Sequence, residues 1–282
     1  MKTTFLIHCN DDVGIISAVT NFIHINGGNV VYLDQHVDKD AGVFFMRLEA
    51  EFAKAVDLEA LESDFQSAIA GTFAMHWQVF IGGAKPRMAL FVSKYNHCLY
   101  DLLSRYRSGE LEVTIPFIIS NHDDLRYVAE QFEIPFHHIP YTREIKDEGE
   151  AAQLELLLGH QIDFIVLARY MQIVGKNVID RFTNRIINIH HSFLPAFAGA
   201  KPYHAAYKRG VKIIGATSHY VTEALDEGPI IEQDVTAVSH THSIGDFIGK
   251  GRDLEKIVLA RAVKLHIERK TMVYNNKTVI FT

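Results

Sequence analysis

Between residues 88 and 220, short apolar segments alternate with segments of helical periodicity, and this alternation constrains the fold more than any other feature of the sequence. The apolar segments are rich in β-branched side chains and bounded by turn residues, as buried strands are. Strands that alternate with helices predict a largely parallel sheet covered on both faces, with ligands beyond the carboxyl ends of the strands. The predicted strands are 88–92, 113–119, 136–139, 164–167, 186–189 and 212–220, and the predicted helices are 97–107, 123–132, 148–158, 176–182 and 254–268.

Polar residues stand at the end of one of these apolar segments. Asn188 lies within the segment 186–189 and His190 follows it. Side chains two residues apart in a strand point to the same face, so the two are expected to face one side of the sheet. Asp226 follows later, in the turn-like segment 225–229. An amide, an imidazole and a carboxylate are therefore predicted to converge at one strand end.

Residues 3–80 follow a different order of elements, β-α-β-β-α-β. The predicted strands are 3–9, 29–37, 43–51 and 75–80, the predicted helices are 14–26 and 56–70, and a hairpin turn is expected at 38–42. Asp11 or Asp12 is expected to cap the first helix. Four apolar residues of that helix share the spacing of a stripe facing a core: Ile15, Val19, Phe22 and Ile23.

The start of that helix carries a family resemblance. The sequence Asn10-Asp11-Asp12-Val13-Gly14-Ile15, with Gly27-Gly28-Asn29 after the helix, resembles the ACT domain, a ferredoxin-like regulatory module. The resemblance implies that backbone N–H groups at the helix start hold the carboxylate of an amino-acid effector such as glycine or methionine. The implied effector-binding residues are Asn10, Asp11, Asp12 and Gly14. The alternative is a dimerisation module in which the acidic residues only cap the helix.

The glycine-rich segment 81–86 interrupts both patterns and predicts a domain boundary. We expect an ACT-like regulatory or dimerisation domain over residues 1–82 and a doubly wound domain with a mostly parallel sheet over residues 83–282. A chain of 282 residues that is 48% hydrophobic has enough apolar side chains for two cores.

Charge and cysteine content limit the classes of partner that the protein can bind and indicate its cellular compartment. The net charge is −6, and the 28 basic and 34 acidic residues are mixed along the chain, which disfavours a nucleic-acid or membrane-surface partner. The first apolar run is too short for a signal peptide, and no run is long enough for a membrane span. The two cysteines, Cys9 and Cys98, suggest neither a disulfide framework nor a metal site. We expect a cytoplasmic protein.

Several common sites are missing from the sequence. No G-x-G-x-x-G follows a predicted strand, and neither Ser192 nor Ser218 lies in G-x-S-x-G. The segment 245–251 is one residue short of a phosphate-binding loop and has Gly251 in place of the hydroxyl residue, so we interpret it as a loop before the last helix.

The 16 histidines raise the possibility of a metal site. Pairs occur at 137/138, 190/191 and 240/242, but H-E-x-x-H is absent, and only His190 has a carboxylate and an amide arranged around it. We therefore expect no metal and no cofactor, with most of the histidines serving as satisfied polar groups.

Two segments in the second half carry a more specific resemblance. The sequence Asn188-Ile189-His190-His191-Ser192-Phe193-Leu194-Pro195-Ala196-Phe197, followed by 219–229, resembles the folate-dependent formyltransferase fold. With the ACT-like module and the tail at 274–278, the whole chain resembles the formyltetrahydrofolate deformylase family. The resemblance implies Asn188, His190 and Asp226 as catalytic residues, and it implies a folate-binding set: Met171, Gln172, Ile173, Val174, Val221, Thr222, Glu223 and Leu225.

The implied activity is hydrolysis of 10-formyltetrahydrofolate to formate and tetrahydrofolate, a step of one-carbon and purine metabolism. Water attack places negative charge on the formyl oxygen, where each hydrogen-bond donor contributes about 3 to 4 kcal/mol in known enzymes. Asn188 and His190 are the expected donors. Asp226 is expected to orient His190, and either Asp226 or the imidazole takes the proton from water.

The segment after the first strand of the second domain bears on the acceptor. Related glycinamide ribonucleotide formyltransferases carry a glycine-rich loop there for the acceptor's phosphate, whereas residues 92–98 of this chain contain no glycine. This difference favours water as the acceptor. Gln172 stands where relatives often carry a basic residue, so the resemblance does not define the contacts to the folate tail. Asn275 stands where glycine is common, so the resemblance does not define the geometry of that turn.

Two alternative functions remain at this point: formyl transfer to an amine, or a non-catalytic, amino-acid-sensing protein on the same fold. The expected partners are the folate substrate, an amino-acid effector and further copies of the chain in a homo-oligomer.

Overall fold

Two separate β-sheets organise this computed structural model, which describes residues 1–53, 57–141, 145–196 and 202–282. By its internal contacts the chain divides into an N-terminal unit, Met1–Ala84 with Ile280–Thr282, and a C-terminal unit, Lys85–Val279. The division falls two residues after the boundary that the sequence predicts. The last residues join the N-terminal unit, where the Thr282 amide donates to the Asp34 carboxylate over 3.1 Å.

The N-terminal unit is an antiparallel sheet covered by helices. Its sheet has the order β2-β3-β1-β4, and residues at helical spacing in the first helix are buried as predicted. The Asp38 carboxylate accepts from the amides of Asp40 and Ala41, which closes the predicted hairpin. The elements are β1 (Lys2–Asn10), α1 (Ile15–Ile25), β2 (Gly28–Asp38), β3 (Val43–Phe52), α2 (Leu58–Phe65), a π-helical turn (Gln66–Ala70) and β4 (His76–Ile81).

Two expectations about helix starts have different outcomes. The prediction that Asp11 or Asp12 caps α1 is wrong: Gly14 is the N-cap residue, with φ of 95°, and makes no side-chain cap. The Asp12 carboxylate instead accepts from the neighbouring Val13 amide, because both acidic residues lie too far before the first helical turn. The predicted start of α2 at residue 56 lies outside the described residues, and Asp57 caps the observed helix.

The C-terminal unit is built on a seven-stranded sheet with the order β11-β10-β9-β8-β5-β6-β7. Five neighbouring strands, β9, β8, β5, β6 and β7, are parallel to one another. Strand β10 is antiparallel to both of its neighbours, β9 and β11. The chain winds outward in opposite directions from β5 and β8, which makes their junction the topological switch point. The strands are β5 (Met88–Val92), β6 (Ile118–Ser120), β7 (Phe136–His138), β8 (Phe164–Leu167), β9 (Ile186–His190), β10 (Ile213–Tyr220) and β11 (Ile230–Ala237).

The helices of this unit are α3 (His97–Arg107), α4 (Arg126–Gln131), α5 (Lys146–Gly159), α6 (Lys176–Arg181), α7 (Pro202–Arg209) and α8 (Ile244–Ile267), and a hairpin of β12 (Thr271–Tyr274) and β13 (Lys277–Ile280) ends the chain. Among these, α7, β11 and the hairpin are additions to the predicted elements. The predicted strand 113–119 is much shorter, since before Ile118 only an isolated bridge joins Thr114 to Arg87. Asn275 and Asn276 occupy the hairpin turn with positive φ, a conformation that asparagine tolerates.

The interpretation of residues 245–251 as a loop is wrong. These residues form the first two turns of α8, which begins at Ile244. The Ser243 hydroxyl accepts from the Asp246 amide, and the Asp246 carboxylate accepts from the Ser243 amide. This complete capping box offsets the free-energy cost of placing three glycines within the helix. Gly251 is also required by packing, because a Cβ there would lie 2.1 Å from the Tyr203 ring.

No helix in the described part of the chain is both long enough and apolar enough to cross a membrane.

Candidate active site

A cavity of about 300 Å³ opens beyond the carboxyl ends of β8 and β9, beside the switch point of the sheet. The structure brings Asn188, His190 and Asp226 together in its wall. Asn188 and His190 come from β9, and Asp226 comes from the turn between β10 and β11. The sequence prediction that these three side chains converge is thus what the geometry shows.

His190 and Asp226 form a close pair. Nδ1 of His190 lies 3.3 Å from Oδ2 of Asp226. His190 is buried, and its other ring nitrogen, Nε2, has no hydrogen-bond partner among the described residues. The carboxylate therefore orients the imidazole through one nitrogen, and the second nitrogen stays without a protein partner in this part of the structure.

The turn that carries Asp226 is held from two sides. Asp226 has a φ of 58°, in the left-handed region that aspartate adopts more readily than most residues. Gly228 fits closely against β10, because a Cβ there would lie 1.8 Å from the Tyr220 carbonyl oxygen. The Asn276 side chain donates to the Glu227 carbonyl over 2.9 Å. These contacts fix the carboxylate in the cavity wall.

His219 belongs to the same site, although the sequence analysis did not assign it a role. Its Nδ1 lies 2.9 Å from the Tyr220 carbonyl oxygen, which can only accept, so Nδ1 carries the proton. Its Nε2 then accepts from Nδ2 of Asn188 over 3.2 Å. This contact fixes the orientation of the Asn188 amide. The histidine opens the second family segment, which is the one signal in the sequence that points to it.

The hydrogen bond from His190 holds the pKa of the Asp226 carboxyl well below its usual range. Burial acts in the opposite direction but is outweighed, because the N–H of His190 favours the charged carboxylate. Asp226 is therefore ionised at neutral pH and is a weak proton acceptor.

All the residues expected to bind folate line this cavity. They come from the loop after β8 and from the segment after β10, so the two segments face one space. Val174 is buried, whereas Ile173 and Leu225 expose 61% and 64% of their surface and form an apolar rim. The lining residues among the expected set are Met171, Gln172, Ile173, Val174, Val221, Thr222, Glu223 and Leu225.

The expected effector residues lie in the N-terminal unit. Asn10 ends β1, the Asp11 amide donates to the Gly42 carbonyl, and Gly14 precedes α1. Asp11, Asp12 and Val13 are exposed. The first amides of α1 receive no cap from the Gly14 position, which leaves donors at that helix start.

One group of side chains in the described part of the chain is spaced closely enough to hold a metal ion, namely His97, Cys98 and Glu255. The group does not fit a metal well. The Glu255 carboxylate is already bonded to His97 and lies 3.4 Å from the Arg169 guanidinium. Burial raises the pKa of the Cys98 thiol, so the thiolate that a metal needs is disfavoured. The predicted histidine pairs do not appear in this group.

The chain is similar to known proteins over its whole length. Residues 86–263 match the family described as formyl transferase. The formyltetrahydrofolate deformylase of Synechocystis sp. is 51% identical over 282 residues, which cover 100% of this chain and 99% of that protein.

Solved structures show the same relationship. A formyltetrahydrofolate deformylase from Pseudomonas syringae pv. tomato matches with a TM-score of 0.96 and 45% identity, over 100% of this chain and 95% of that one. The glycinamide ribonucleotide transformylase 1 of Symbiobacterium toebii matches with a TM-score of 0.67 and 27% identity, over 73% of this chain and 97% of that one. From the identity over its full length and from the fold, this chain belongs to the formyltetrahydrofolate deformylase family.

Proposed function

We propose that Asn188, His190 and Asp226 catalyse the hydrolysis of 10-formyltetrahydrofolate to formate and tetrahydrofolate. The observation that carries this proposal is the buried His190–Asp226 pair, in which Nδ1 faces the carboxylate and Nε2 is unpartnered among the described residues. An imidazole held in this way can take and return a proton through Nε2 during the reaction.

Asn188 supplies a donor to the formyl oxygen. Its amide nitrogen has two hydrogens, and one of them is directed to Nε2 of His219. The second hydrogen remains for the oxygen on which negative charge develops. Because His219 fixes the amide before substrate binds, this donor needs little reorganisation in the transition state.

His190 is the better placed base of the two candidates. The lowered pKa of Asp226 makes its carboxylate a poor proton acceptor, although it stabilises positive charge on the imidazole. Nε2 of His190 therefore takes a proton as water adds to the formyl carbon. The resulting imidazolium donates through Nε2 to the oxyanion and through Nδ1 to Asp226.

The proton on His190 also completes the reaction. When the bond between the formyl carbon and N10 breaks, N10 must gain a proton for tetrahydrofolate to leave, and the imidazolium is the acid at hand. One water and one formyl-folate thus give formate, tetrahydrofolate and one released proton. No step of this scheme requires a metal or a dissociable cofactor.

The folate is proposed to bind between the loop after β8 and the segment after β10. Met171 and Leu225 expose 48% and 64% of their surface at the cavity, and flat aromatic ring systems bind well to such apolar walls. Gln172 and Thr222 add polar groups that can orient the ligand.

The free, buried thiols of both cysteines suit a reducing compartment, and we place the enzyme in the cytoplasm.

The decisive experiment incubates the protein with 10-formyltetrahydrofolate in the presence and absence of an amine, and measures formate and tetrahydrofolate. Hydrolysis predicts equal amounts of both products without amine. Formate-free turnover that begins only when an amine is added would instead establish formyl transfer. No turnover under any condition would leave a protein that binds folate without acting on it.

For the N-terminal unit we propose an ACT-like role in oligomerisation and amino-acid binding. Its exposed apolar side chains include Val13 and Ile25, which expose 94% and 72% of their surface, and such residues are favourable in a subunit interface. Light scattering of the intact protein should give a mass above that of one chain, and Val13→Glu with Ile25→Asp should lower it. A monomer mass for the unmodified protein contradicts this role.

The amino-acid effector is proposed to place its carboxylate at the uncapped start of α1, next to Asn10 and Gly14. Glycine or methionine should then raise the thermal unfolding midpoint, and Asn10→Ala should abolish the rise. Asp40→Asn, in the exposed hairpin turn of the same unit, is the matched control. An unchanged midpoint with every amino acid limits this unit to oligomerisation.

A further inference from the structure

Arg169 adopts a backbone conformation that arginine rarely takes. It lies two residues after the end of β8 and has a φ of 63°, in the left-handed region where glycine is the residue without strain. It is also 92% buried, with 8% of its surface exposed, and it lines the same cavity as His190. A strained, buried arginine in the wall of an active site points to a function for its side chain.

Other side chains hold the Arg169 guanidinium in place. Its Nε lies 3.4 Å from Oε2 of Glu255, and its Cζ lies 4.9 Å from the centroid of the Tyr95 ring. Glu255 is itself fixed, because Tyr203 Oη donates to Oε1 and His97 Nε2 approaches Oε2, each over 2.8 Å. We call Tyr95, His97, Arg169, Tyr203 and Glu255 the arginine cluster.

Two groups of the arginine cluster have shifted pKa values. Burial disfavours the charged carboxylate of Glu255, but the hydrogen bond from His97 and the charge of Arg169 hold its pKa below the ordinary value. Burial also raises the pKa of the Tyr203 hydroxyl, which therefore remains a donor. A guanidinium thus faces a carboxylate in a buried site, and the carboxylate is held by two other side chains.

The ring of His191 lies between the proposed catalytic base, His190, and Tyr203 of the arginine cluster. The His190 and His191 rings have centroids 5.2 Å apart, and the His191 and Tyr203 rings have centroids 5.9 Å apart. Tyr203 in turn packs against the backbone of α8 at Gly251, where no Cβ could fit. Packed rings therefore connect His190 to the arginine cluster through His191.

We propose that Arg169, held in the cavity wall by the rest of the arginine cluster, determines the acceptor, because its side chain takes up room in the cavity that an amine would need and water would not. The inference rests on the proposed hydrolysis at His190. Tyr95 and His97 belong to the glycine-free segment after β5, and their contacts with Arg169 and Glu255 give this segment a physical role in acceptor choice. Arg169 is thus a specificity-determining residue.

The alternative reaction is chemically available once the space is opened. The nitrogen of a neutral primary amine forms a bond to the formyl carbon, the bond from that carbon to N10 breaks, and the proton lost by the amine reaches N10. The products are an N-formyl amine and tetrahydrofolate, without formate. Hydrolysis and transfer therefore differ only in the nucleophile and share His190 as the proton carrier.

The test measures how the formyl group is partitioned in the presence of glycinamide as the acceptor probe. Arg169→Gly removes the side chain and relieves the backbone strain of the left-handed conformation. We expect the ratio of N-formylglycinamide to formate to rise by about tenfold or more, the range that pocket size alone can provide. Mass spectrometry of the products, with a control lacking enzyme, gives the ratio.

Two further variants keep the test decisive. Arg169→Gly combined with Glu255→Gln removes both charges, so it avoids an unpaired buried carboxylate if the single variant fails to fold. Arg252→Ala removes another guanidinium facing Tyr95, with its Cζ 6.0 Å from the ring centroid, and should leave the ratio unchanged.

Formate as the sole product of a folded Arg169→Gly or double variant overturns the role of the arginine cluster. That outcome leaves the proposed hydrolysis intact, because formate release by the unmodified protein without amine tests hydrolysis separately. A rise in the ratio for Arg252→Ala equal to that for Arg169→Gly also overturns the proposal, since it would show a general loosening of the site.

Discussion

Asn188 and His219 face each other across the antiparallel pair of β9 and β10, with Nδ2 of the asparagine 3.2 Å from Nε2 of the histidine. The backbone register places them opposite each other, and the carbonyl of Tyr220 fixes the ring through Nδ1. A bulge in the pairing of β10 with β11 falls between Ser218 and His219, where bulges commonly redirect a side chain. The donor in the proposed oxyanion site is therefore positioned by a histidine on the neighbouring strand.

His219→Gln should lower kcat for formate release by roughly fivefold and leave KM nearly unchanged, because a lost orienting hydrogen bond costs about 1 kcal/mol in the transition state. Steady-state kinetics of formate release provides the measurement. His204→Gln, at an exposed position of α7, is the matched control. Equal kcat values for the two variants would show that Asn188 needs no support from His219.

Asp226→Asn should lower kcat by about 10² to 10⁴, because the carboxylate that orients His190 and stabilises its positive charge is lost while the size of the side chain is kept. Folate binding should remain measurable by fluorescence titration. Since the pKa of Asp226 is held well below its usual range, its carboxylate stays charged in mildly acidic solution, and it should not cause a fall in activity there.

Glu227→Gln provides the comparison for Asp226→Asn, because Glu227 is the neighbouring acidic residue of the same turn and its side chain is exposed. It should leave kcat within about twofold of the unmodified value. A large loss in Glu227→Gln, or near-normal activity in Asp226→Asn, contradicts the assigned role.

Gly228→Ala should disturb the site and the fold together. The added Cβ would lie 1.8 Å from the Tyr220 carbonyl oxygen, so the turn must move away from β10. We expect a loss of about 1 to 3 kcal/mol in the free energy of unfolding and at least about a tenfold fall in kcat as Asp226 shifts. Urea denaturation and kinetics measure the two effects, and Gly159→Ala, with open space around its Cβ, should show neither.

Buried His266 should make the stability of the protein depend on pH. Burial, with the nearby charges of Arg269 and Arg185, lowers its pKa from 6.5 to about 3. Below pH 6.5 the unfolded state binds this proton and the folded state does not, so stability falls as the pH drops from 6.5 towards 3. The contribution lost between neutral pH and pH 5 is about 2 kcal/mol.

Urea denaturation of His266→Gln against pH tests this dependence. Glutamine keeps a polar group near Tyr220 Oη, which lies 2.8 Å from Nδ1 of His266, but it does not titrate. The fall in stability between neutral pH and pH 5 should therefore be smaller in the variant. An unchanged fall would assign the pH dependence to other groups, and His204→Gln is the exposed comparison.

Local patterns predicted well those features that depend on residues close in sequence. The buried stripe of α1, the hairpin at Asp38 and the parallel strands around β5 follow from periodicity and turn residues, and all are present. The prediction of a loop at 245–251 is wrong because it gives more weight to the three glycines than to Ser243. In the structure Ser243 caps α8, and Asp246 completes the capping box. Glycine content alone is thus a weaker signal than a capping box.

The sequence by itself determined the class of fold, the chemistry-bearing residues and their position at a strand end, because strand periodicity sets which side chains share a face. Only the tertiary structure decided which distant groups meet. The contact of Asn188 with His219 depends on the register of two strands, and the pairing of Arg169 with Glu255 depends on how α8 packs against the sheet. These contacts arise from burial and from long-range hydrogen bonding, which residues near in sequence do not specify.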